Sequence, residues 1–259
     1  LWRDIAISLV VLIILSFSVR RIIKRILLQE EENKRVIETS SALLQDKNKK
    51  ITDSIHYAKR IQDALMQDNQ QHIEGRLAGY FDIFLPRDIV SGDFLWHYYD
   101  EETEKLLLVN ADCTGHGVPG ALMSIIGMTA LNELIAEKKI LRPHHILKLL
   151  DHKIRHLLHQ HEKKNDVHDG MDISICLIDF QKMELQFAGA HQPILLVSDG
   201  TLTQLKSDRL SIGGHTRRKD KSFEVQQLEI KKGDRVYLYS DGIIDQFGFT
   251  HVPPLNLHS

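Results

Sequence analysis

The sequence has few cysteines and almost no net charge, and both absences limit what it can be. Cys113 and Cys176 are the only cysteines among 259 residues, and each lies in an apolar or small-residue stretch. This argues against a disulfide framework and favours a reducing compartment. The 33 basic and 35 acidic residues leave a formal charge of −2, which creates no overall field that attracts nucleic acid. We therefore expect no nucleic-acid partner.

Long apolar runs are also scarce, and the first one stands near the N-terminus. Residues 5–19 are apolar except for three serines, and the basic residues Arg20, Arg21, Lys24 and Arg25 follow at once. A helix of this length spans about 22 Å, less than the roughly 30 Å of a bilayer core, unless Leu1, Trp2 and preceding residues extend it. Positive residues stay on the cytoplasmic side, whereas a signal peptide carries them before its apolar core. We expect a membrane-spanning helix over residues 1–21, in the cytoplasmic (inner) membrane, with the remainder in the cytoplasm.

Glycine and proline are absent from residues 22–65, which are rich in Glu, Lys, Gln and Asn. Apolar residues recur there at helical spacing, which predicts a long amphipathic helix. The apolar stripe is narrow, as in a two-stranded coiled coil, so residues 22–70 are interpreted as a linker that forms a homodimer. A solitary solvated helix is the alternative. The stripe consists of Val36, Leu43 or Leu44, Ile51, Ile55, Ala58, Ile61 and Leu65.

Beyond Gly75 the pattern changes to short β-type runs interrupted by two helical stretches. The pair Asp199-Gly200 predicts a two-residue hairpin, and Lys232-Gly233-Asp234 predicts a turn before a strand. Hairpins imply antiparallel pairing, so we expect an α+β domain over residues 75–259. The predicted strands are 80–85, 94–99, 105–110, 171–179, 184–188, 194–197 and 236–239, and the predicted helices are 118–138 and 143–160.

Three acidic residues stand where these strands begin or end. Asp93 precedes one strand-like run, whereas Asp112 and Asp241 each follow one, and every one of the three has a glycine nearby. Carboxylates that converge repel one another, and a hard divalent cation such as Mg²⁺ or Mn²⁺ offsets that repulsion. Taken singly, each aspartate is equally compatible with a turn or a helix cap.

Three of four ordered motifs contain these aspartates. The motifs are PRDIVSGDF (86–94), ADCTGHGVPGA (111–121), AGAHQP (188–193) and SDG (240–242). With these motifs the sequence resembles the stage II sporulation protein E family of bacterial serine phosphatases, a branch of the metal-dependent type 2C phosphatases, over about residues 80–248. The resemblance implies two antiparallel β-sheets sandwiched between helices, preceded here by a long helix.

The resemblance also implies a set of ligands for two Mn²⁺ or Mg²⁺ ions. Asp93 is expected to bridge the two ions, and Asp112 is a second ligand beside the backbone carbonyl of Cys113. Asp241 is expected to hold the other ion, and Asp245 is an outer-shell or third-metal candidate. Together these residues form the predicted metal site.

The activity implied is hydrolysis of phosphoserine or phosphothreonine on a regulatory protein, such as an anti-anti-sigma factor, by a hydroxide that bridges the ions. His116 could protonate the leaving oxygen or contact the phosphate, or it could only hydrogen-bond within its glycine-rich turn. The family continues to a terminal Asp-Asp-x-Thr strand that this sequence does not show, so a C-terminally incomplete domain is expected. That departure supports an alternative, a catalytically impaired phosphatase-like module that binds a partner or dimerises.

Overall fold

The first element is one long helix, because nothing in its sequence interrupts it. A computed structural model describes residues 2–67, with side chains from residue 12, and residues 73, 75–160, 168–214 and 221–243. Helix α1 spans Trp2–Gln67, which confirms the helix predicted over residues 22–65. The chain divides into two compact units, Leu1–Ser54 and Ile55–Ser259. The first unit is helix alone, and its apolar side chains from Leu12 to Leu28 are exposed.

The second unit contains a larger antiparallel sheet. Its strand order is β1-β2-β3-β4-β8, and the short strand β7 pairs with β3 beside this path. Strand β2 runs three residues beyond its predicted end because Ala111, Asp112 and Cys113 continue the ladder with β3. The strands are β1 (Phe94–Asp100), β2 (Lys105–Cys113), β3 (Gly170–Asp179), β4 (Glu184–Ala190), β7 (Ile212–Gly213) and β8 (Gln226–Glu229).

A smaller antiparallel sheet has the order β6-β5-β9. Its strands are β5 (Ile194–Ser198), β6 (Thr201–Leu205) and β9 (Arg235–Leu238). Asp199 and Gly200 join β5 to β6 with φ of 50° and 76°, which are the positive values that a two-residue hairpin needs. The turn at Gly233, with φ of 101°, precedes β9. Both turns are therefore confirmed.

Two helices cover the larger sheet. Helix α2 spans Gly117–Asn132 and continues as a π-helical turn, Glu133–Glu137. Helix α3 spans Pro143–Leu157 and starts with proline, whose missing N–H is not needed there. Side chains such as Leu131, Ile146 and Ile154 are fully buried against the apolar face of β1–β4.

A second core lies on the opposite face of the larger sheet, against the smaller one. Leu106, Cys176 and Phe187 of the larger sheet pack with Ile194 and Leu205 of the smaller sheet. The order of layers is therefore helices, larger sheet, smaller sheet. This α+β arrangement of two antiparallel sheets with helices agrees with the prediction.

The strand predicted over residues 80–85 is wrong. In the part of the chain that the structure describes, this segment pairs with no other strand, and Ile83 and Leu85 are 73% and 87% exposed. Phe81 contacts the Tyr237 ring edge to face. The apolar pattern is strand-like, but a strand also requires a partner ladder for its backbone groups.

One stretch among the described residues is long and apolar enough to cross a membrane, namely Gly117–Glu137. It comprises α2 and the π-helical turn, and 56% of it is buried inside the protein. It is therefore a core helix. The membrane span expected over residues 1–21 includes side chains outside the described part and stays a prediction.

Candidate metal centre

The fold brings the three predicted aspartates to one end of the sheets. Asp93 immediately precedes β1, Asp112 is the next-to-last residue of β2, and Asp241 opens a 3₁₀ turn, Asp241–Ile243, just after β9. The Asp93 and Asp241 carboxyl groups both lie within hydrogen-bonding reach of Asp112. Convergence, which spacing alone left open, is therefore present in the structure.

Close backbone contacts between glycines hold the first two motifs together. A Cβ atom on Gly120 would lie 2.4 Å from the Gly115 carbonyl oxygen and 3.0 Å from the Gly92 Cα atom. A Cβ atom on Gly92 would lie 2.8 Å from the same Gly115 oxygen and 3.1 Å from the Cys113 carbonyl oxygen. Only glycine allows this approach. The carbonyl of Cys113 thus lies beside the motif that carries Asp93.

The end of β2 is tied to β3 by a reciprocal pair of hydrogen bonds. The Thr114 N–H donates to the Gly170 carbonyl at 2.9 Å, and the Gly170 N–H donates to Thr114 Oγ1 at 3.1 Å. Asp172 of β3 lies directly across the ladder from Asp112. The sequence pattern assigned Asp172 only to a strand, and the register adds a fourth carboxylate near this end of the sheet.

The electrostatics of the site are dominated by the crowded carboxylates. Burial, followed by the negative charges of Asp93 and Asp241, raises the pKa of Asp112 from 3.8 to about 8. Burial likewise raises the pKa of the Cys113 thiol, whose side chain belongs to the helix-side core. The Cys113 thiol therefore takes no part in the site, and only its backbone carbonyl remains a candidate ligand.

The donor set fits a hard divalent cation. Within the described ranges, no three His, Cys, Asp or Glu side chains form a ready-made cation site. Asp93, Asp112 and Asp241 nevertheless supply oxygen ligands, which Mg²⁺ and Mn²⁺ prefer. A cation would offset the repulsion that now favours a proton on Asp112. Asp245, the remaining predicted ligand, lies outside the described residues, as does the tail from residue 249 onward.

His116 lies four residues after Asp112, as the residue that precedes α2. Its ring is exposed, and Nδ1 lies 3.1 Å from Oδ2 of Asp88. Both possibilities for His116, proton transfer and a purely local hydrogen bond, are compatible with this position. The contact shows that His116 has a carboxylate partner outside its own turn.

Gln62 is a part of the site that the sequence did not indicate. It lies near the C-terminal end of α1, within the second unit, and its side chain is 1% exposed. Its Nε2 donates to the Ser91 carbonyl at 2.7 Å and to Ser124 Oγ at 2.6 Å, and its Oε1 accepts from the Ser91 N–H at 3.1 Å. The end of α1 is thus hydrogen-bonded to the backbone two residues before Asp93. In the sequence, nothing distinguishes Gln62 from the other glutamines of that helix.

Residues 102–253 match the family described as Stage II sporulation protein E (SpoIIE), and they make up more than half of the chain. The chain belongs to this family. The matched range includes Asp112, His116 and Asp241, and it starts after Asp93. No curated protein matches the chain.

The chain is also similar to solved structures. The SiaA-PP2C domain of Pseudomonas aeruginosa is 31% identical, with a TM-score of 0.67 over 79% of this chain and 77% of that one. This likeness confirms the type 2C phosphatase (PP2C) fold. The PP2C domain of SpoIIE from Bacillus subtilis is 23% identical, with a TM-score of 0.46 over 60% of this chain and 42% of that one. RsbX, solved in complex with magnesium, is 16% identical, with a TM-score of 0.43 over 60% and 68%.

Proposed function

We propose that this chain is a Mn²⁺- or Mg²⁺-dependent protein serine/threonine phosphatase. The observation that carries the proposal is the convergence of Asp93 and Asp241 on Asp112, at one end of two stacked sheets in a SpoIIE-family domain. A phosphate monoester is a dianion, so three uncompensated carboxylates would repel it. The same carboxylates, once they hold divalent cations, present positive charge to it.

The roles of the residues follow from their positions. Asp93, Asp112 and Asp241, with the Cys113 carbonyl, would hold the cations, and the glycine contacts of Gly92 fix the spacing of the first two motifs. Two such ions, when bound, activate a water for attack on phosphorus and offset the charge that develops there. The protein contributes a rigid arrangement of oxygen ligands that needs little reorganisation during the reaction.

His116 is the proposed proton donor to the departing serine or threonine oxygen. Imidazole can carry a proton near neutral pH, and the ring is exposed enough to meet a protein substrate. Asp88 Oδ2, at 3.1 Å from Nδ1, would accept the proton on that nitrogen and leave Nε2 to face the substrate. This contact orients the ring.

The proposed substrate is a phosphorylated regulatory protein, such as one of the anti-anti-sigma class, in bacterial signal transduction. The basic cluster after the apolar segment supports an anchored protein whose phosphatase domain lies in the cytoplasm.

The exposed apolar stripe of α1, which includes Leu44 and Ile51, supports a homodimer through the linker.

The direct test is metal-dependent release of phosphate from an aryl phosphate and from a phosphoserine peptide. We expect the wild-type chain to release phosphate in the presence of Mn²⁺. Asp93→Asn and Asp241→Asn should each lower the rate by more than the about 10- to 100-fold that loss of an outer-shell partner causes. Asp53→Asn, on the exposed surface of α1, is the control and should retain full activity. Equal background rates in all variants would reject the enzyme and favour a catalytically impaired binding module.

A further inference from the structure

The turn between β4 and β5 contains a buried amide that the proposed chemistry does not use. Gln192 is 5% exposed, and its Nε2 donates to the Tyr239 carbonyl at 2.7 Å. The bond joins residues that are 47 positions apart in the sequence. It therefore connects the AGAHQP motif to the chain just before the SDG motif.

The backbone that carries Gln192 is tightly held. A Cβ atom on Gly189 would lie 2.5 Å from the Gln192 carbonyl oxygen, so the turn closes on itself at van der Waals contact. The His191 N–H donates to the Asp208 carbonyl at 2.7 Å, and the Asp208 N–H donates to the Gly189 carbonyl at 2.9 Å. A side chain that starts from so constrained a backbone has little freedom to place its amide elsewhere.

The ladder between β5 and β9 explains why a side chain makes this bond. Ile194 pairs with Leu238 at the end of the ladder, so the next positions are Pro193 and Tyr239. Proline has no N–H and cannot donate across a ladder. The Gln192 amide donates to the Tyr239 carbonyl, and this contact extends the connection between the two segments by one residue.

Among the described residues, only the donor half of the amide has a partner. Gln192 Oε1 is buried and accepts no hydrogen bond from the residues that the structure describes. A buried acceptor without a partner is destabilising, and an apolar side chain of similar size would avoid that cost. The contribution specific to glutamine at this position is therefore the N–H that reaches Tyr239.

Tyr239 stands two residues before Asp241, whose carboxyl group lies within reach of Asp112. We propose that Gln192 is a positioning residue for the metal centre, which fixes the start of the SDG motif through the Tyr239 carbonyl and so places Asp241 against Asp112. The proposal rests on the proposed function, since it assumes that these aspartates bind a divalent cation. It parallels Gln62, which holds the backbone two residues before Asp93.

The test is Mn²⁺ binding by the full chain in detergent, measured as free Mn²⁺ by electron paramagnetic resonance, with no substrate present. Gln192→Leu removes the amide at similar volume and should raise the Mn²⁺ dissociation constant by about 10- to 100-fold, as loss of an outer-shell partner does. Gln192→Asn keeps the amide one methylene shorter and should also weaken binding. Gln192→Asn keeps a polar side chain, which guards against misfolding of the leucine variant.

Gln226→Leu is the matched control, because Gln226 Nε2 also donates to a backbone carbonyl, that of Lys206, at 2.6 Å. It should bind Mn²⁺ as the wild type does. If Gln192→Leu binds Mn²⁺ as tightly as the wild type, or if Gln226→Leu weakens Mn²⁺ binding equally, the positioning role is overturned and the proposed function is not. A wild-type chain that binds no Mn²⁺ would overturn it together with the proposed function. Metal-free melting temperatures of all variants separate weakened binding from general instability.

Discussion

At the level of single residues, the charge of the acidic end of the sheets depends on the protonation of Asp112, which has two acidic neighbours. Asp112 is partly buried, and burial together with Asp93 and Asp241 raises its pKa to about 8. At neutral pH the metal-free site therefore holds a proton that a cation would displace. Metal binding and protonation compete for the same oxygens, which links the stability of the domain to pH.

This linkage predicts the pH dependence of the metal-free chain. Between pH 3.8, the ordinary pKa, and about 8, folded Asp112 binds a proton that the unfolded chain has released. The free energy of unfolding should therefore fall as pH rises through this window. Melting temperatures in a chelator at pH 5, 6, 7 and 8 would measure it. In Asp112→Asn the melting temperature should depend less on pH. Excess Mn²⁺ should have a similar effect, because it displaces the proton. If neither change alters the pH dependence, Asp112 is not the group responsible.

The backbone around Gly120 leaves no room for a side chain. In Gly120→Ala, the new Cβ atom would lie 2.4 Å from the Gly115 carbonyl oxygen, and backbone cannot move aside cheaply. We expect a loss of about 1–3 kcal/mol in the free energy of unfolding, as for other overpacked sites, together with weaker Mn²⁺ binding. Urea denaturation would measure the first effect. Gly79→Ala, where a Cβ atom has nothing within 4 Å, is the control and should leave both quantities unchanged.

At the scale of elements, the end of α1 is hydrogen-bonded to the backbone beside the candidate metal centre. The buried Gln62 amide accepts from the Ser91 N–H and donates to the Ser91 carbonyl. Any movement of this part of α1 relative to the sheet would therefore disturb the backbone that precedes Asp93. The helix therefore supports the candidate site in addition to its proposed role as a linker.

Gln62→Leu should lower both stability and phosphatase activity. Each group of Ser91 that is left unpaired and buried should cost about 1–3 kcal/mol, and hydrogen exchange of residues 91–93 should become faster. Gln45→Leu, on the exposed part of the same helix, should change neither property. If Gln62→Leu loses stability and keeps full activity, the contact only holds the helix in place.

A buried ion pair joins α3 to the loop around β7. Lys221 is 4% exposed, and its Nζ donates to Asp151 Oδ1 at 2.7 Å and to the Ser211 and Gly213 carbonyls at 2.6 and 2.9 Å. Asp151 Oδ1 also accepts from the Gly213 N–H at 2.8 Å. All three ammonium protons are used. This loop pairs with the start of β3, which in turn holds the end of β2.

Lys221→Met should cost about 3–5 kcal/mol of unfolding free energy, because it leaves the Asp151 charge buried without its main partner. Adding Asp151→Asn should recover part of this loss, since the asparagine oxygen can still accept a hydrogen bond. Lys231→Met, which removes an exposed pair with Asp199, should cost at most about 1 kcal/mol. Urea midpoints of the wild type and the three variants test this, and a double variant as unstable as Lys221→Met alone would contradict it.

At the scale of the whole molecule, the chain combines a helical rod with a layered domain. The rod, helix α1, exposes apolar side chains that include Leu44 and Ile51 of the predicted seam. The domain buries apolar residues in two cores and also exposes a few, such as Ile83 and Leu85. A second copy of the rod is the proposed partner that would cover the seam.

Ile51→Glu should disperse the proposed dimer, because it would place a charge within the apolar seam. We expect the dissociation constant to rise at least 10-fold, about 1.4 kcal/mol, in analytical ultracentrifugation of the full chain in detergent. Lys49→Glu, on a different face of the helix, should leave it nearly unchanged. A wild-type chain that stays monomeric at high concentration would reject dimerisation through the rod.

Much of this molecule could be predicted from local patterns. The absence of glycine and proline predicted α1, and short β-type runs bounded by turn residues predicted the strands β1–β5 and β9. Residues 80–85 show the limit of that reasoning, because their apolar run is strand-like and the ladder it would need is absent from the described part of the chain. The motif aspartates were identified as candidates, and packing alone decided that they converge.

Local propensity and residue types at short spacing were enough to predict the long helix, most of the strands, the family and the acidic residues of the candidate site. The contacts that join distant segments near these aspartates depend on tertiary packing. Gln62 meets Ser91 across 29 positions, and Gln192 meets Tyr239 across 47. Such contacts depend on how the helix and the two sheets pack, and an amide side chain carries no local signal of the backbone carbonyl that it will reach.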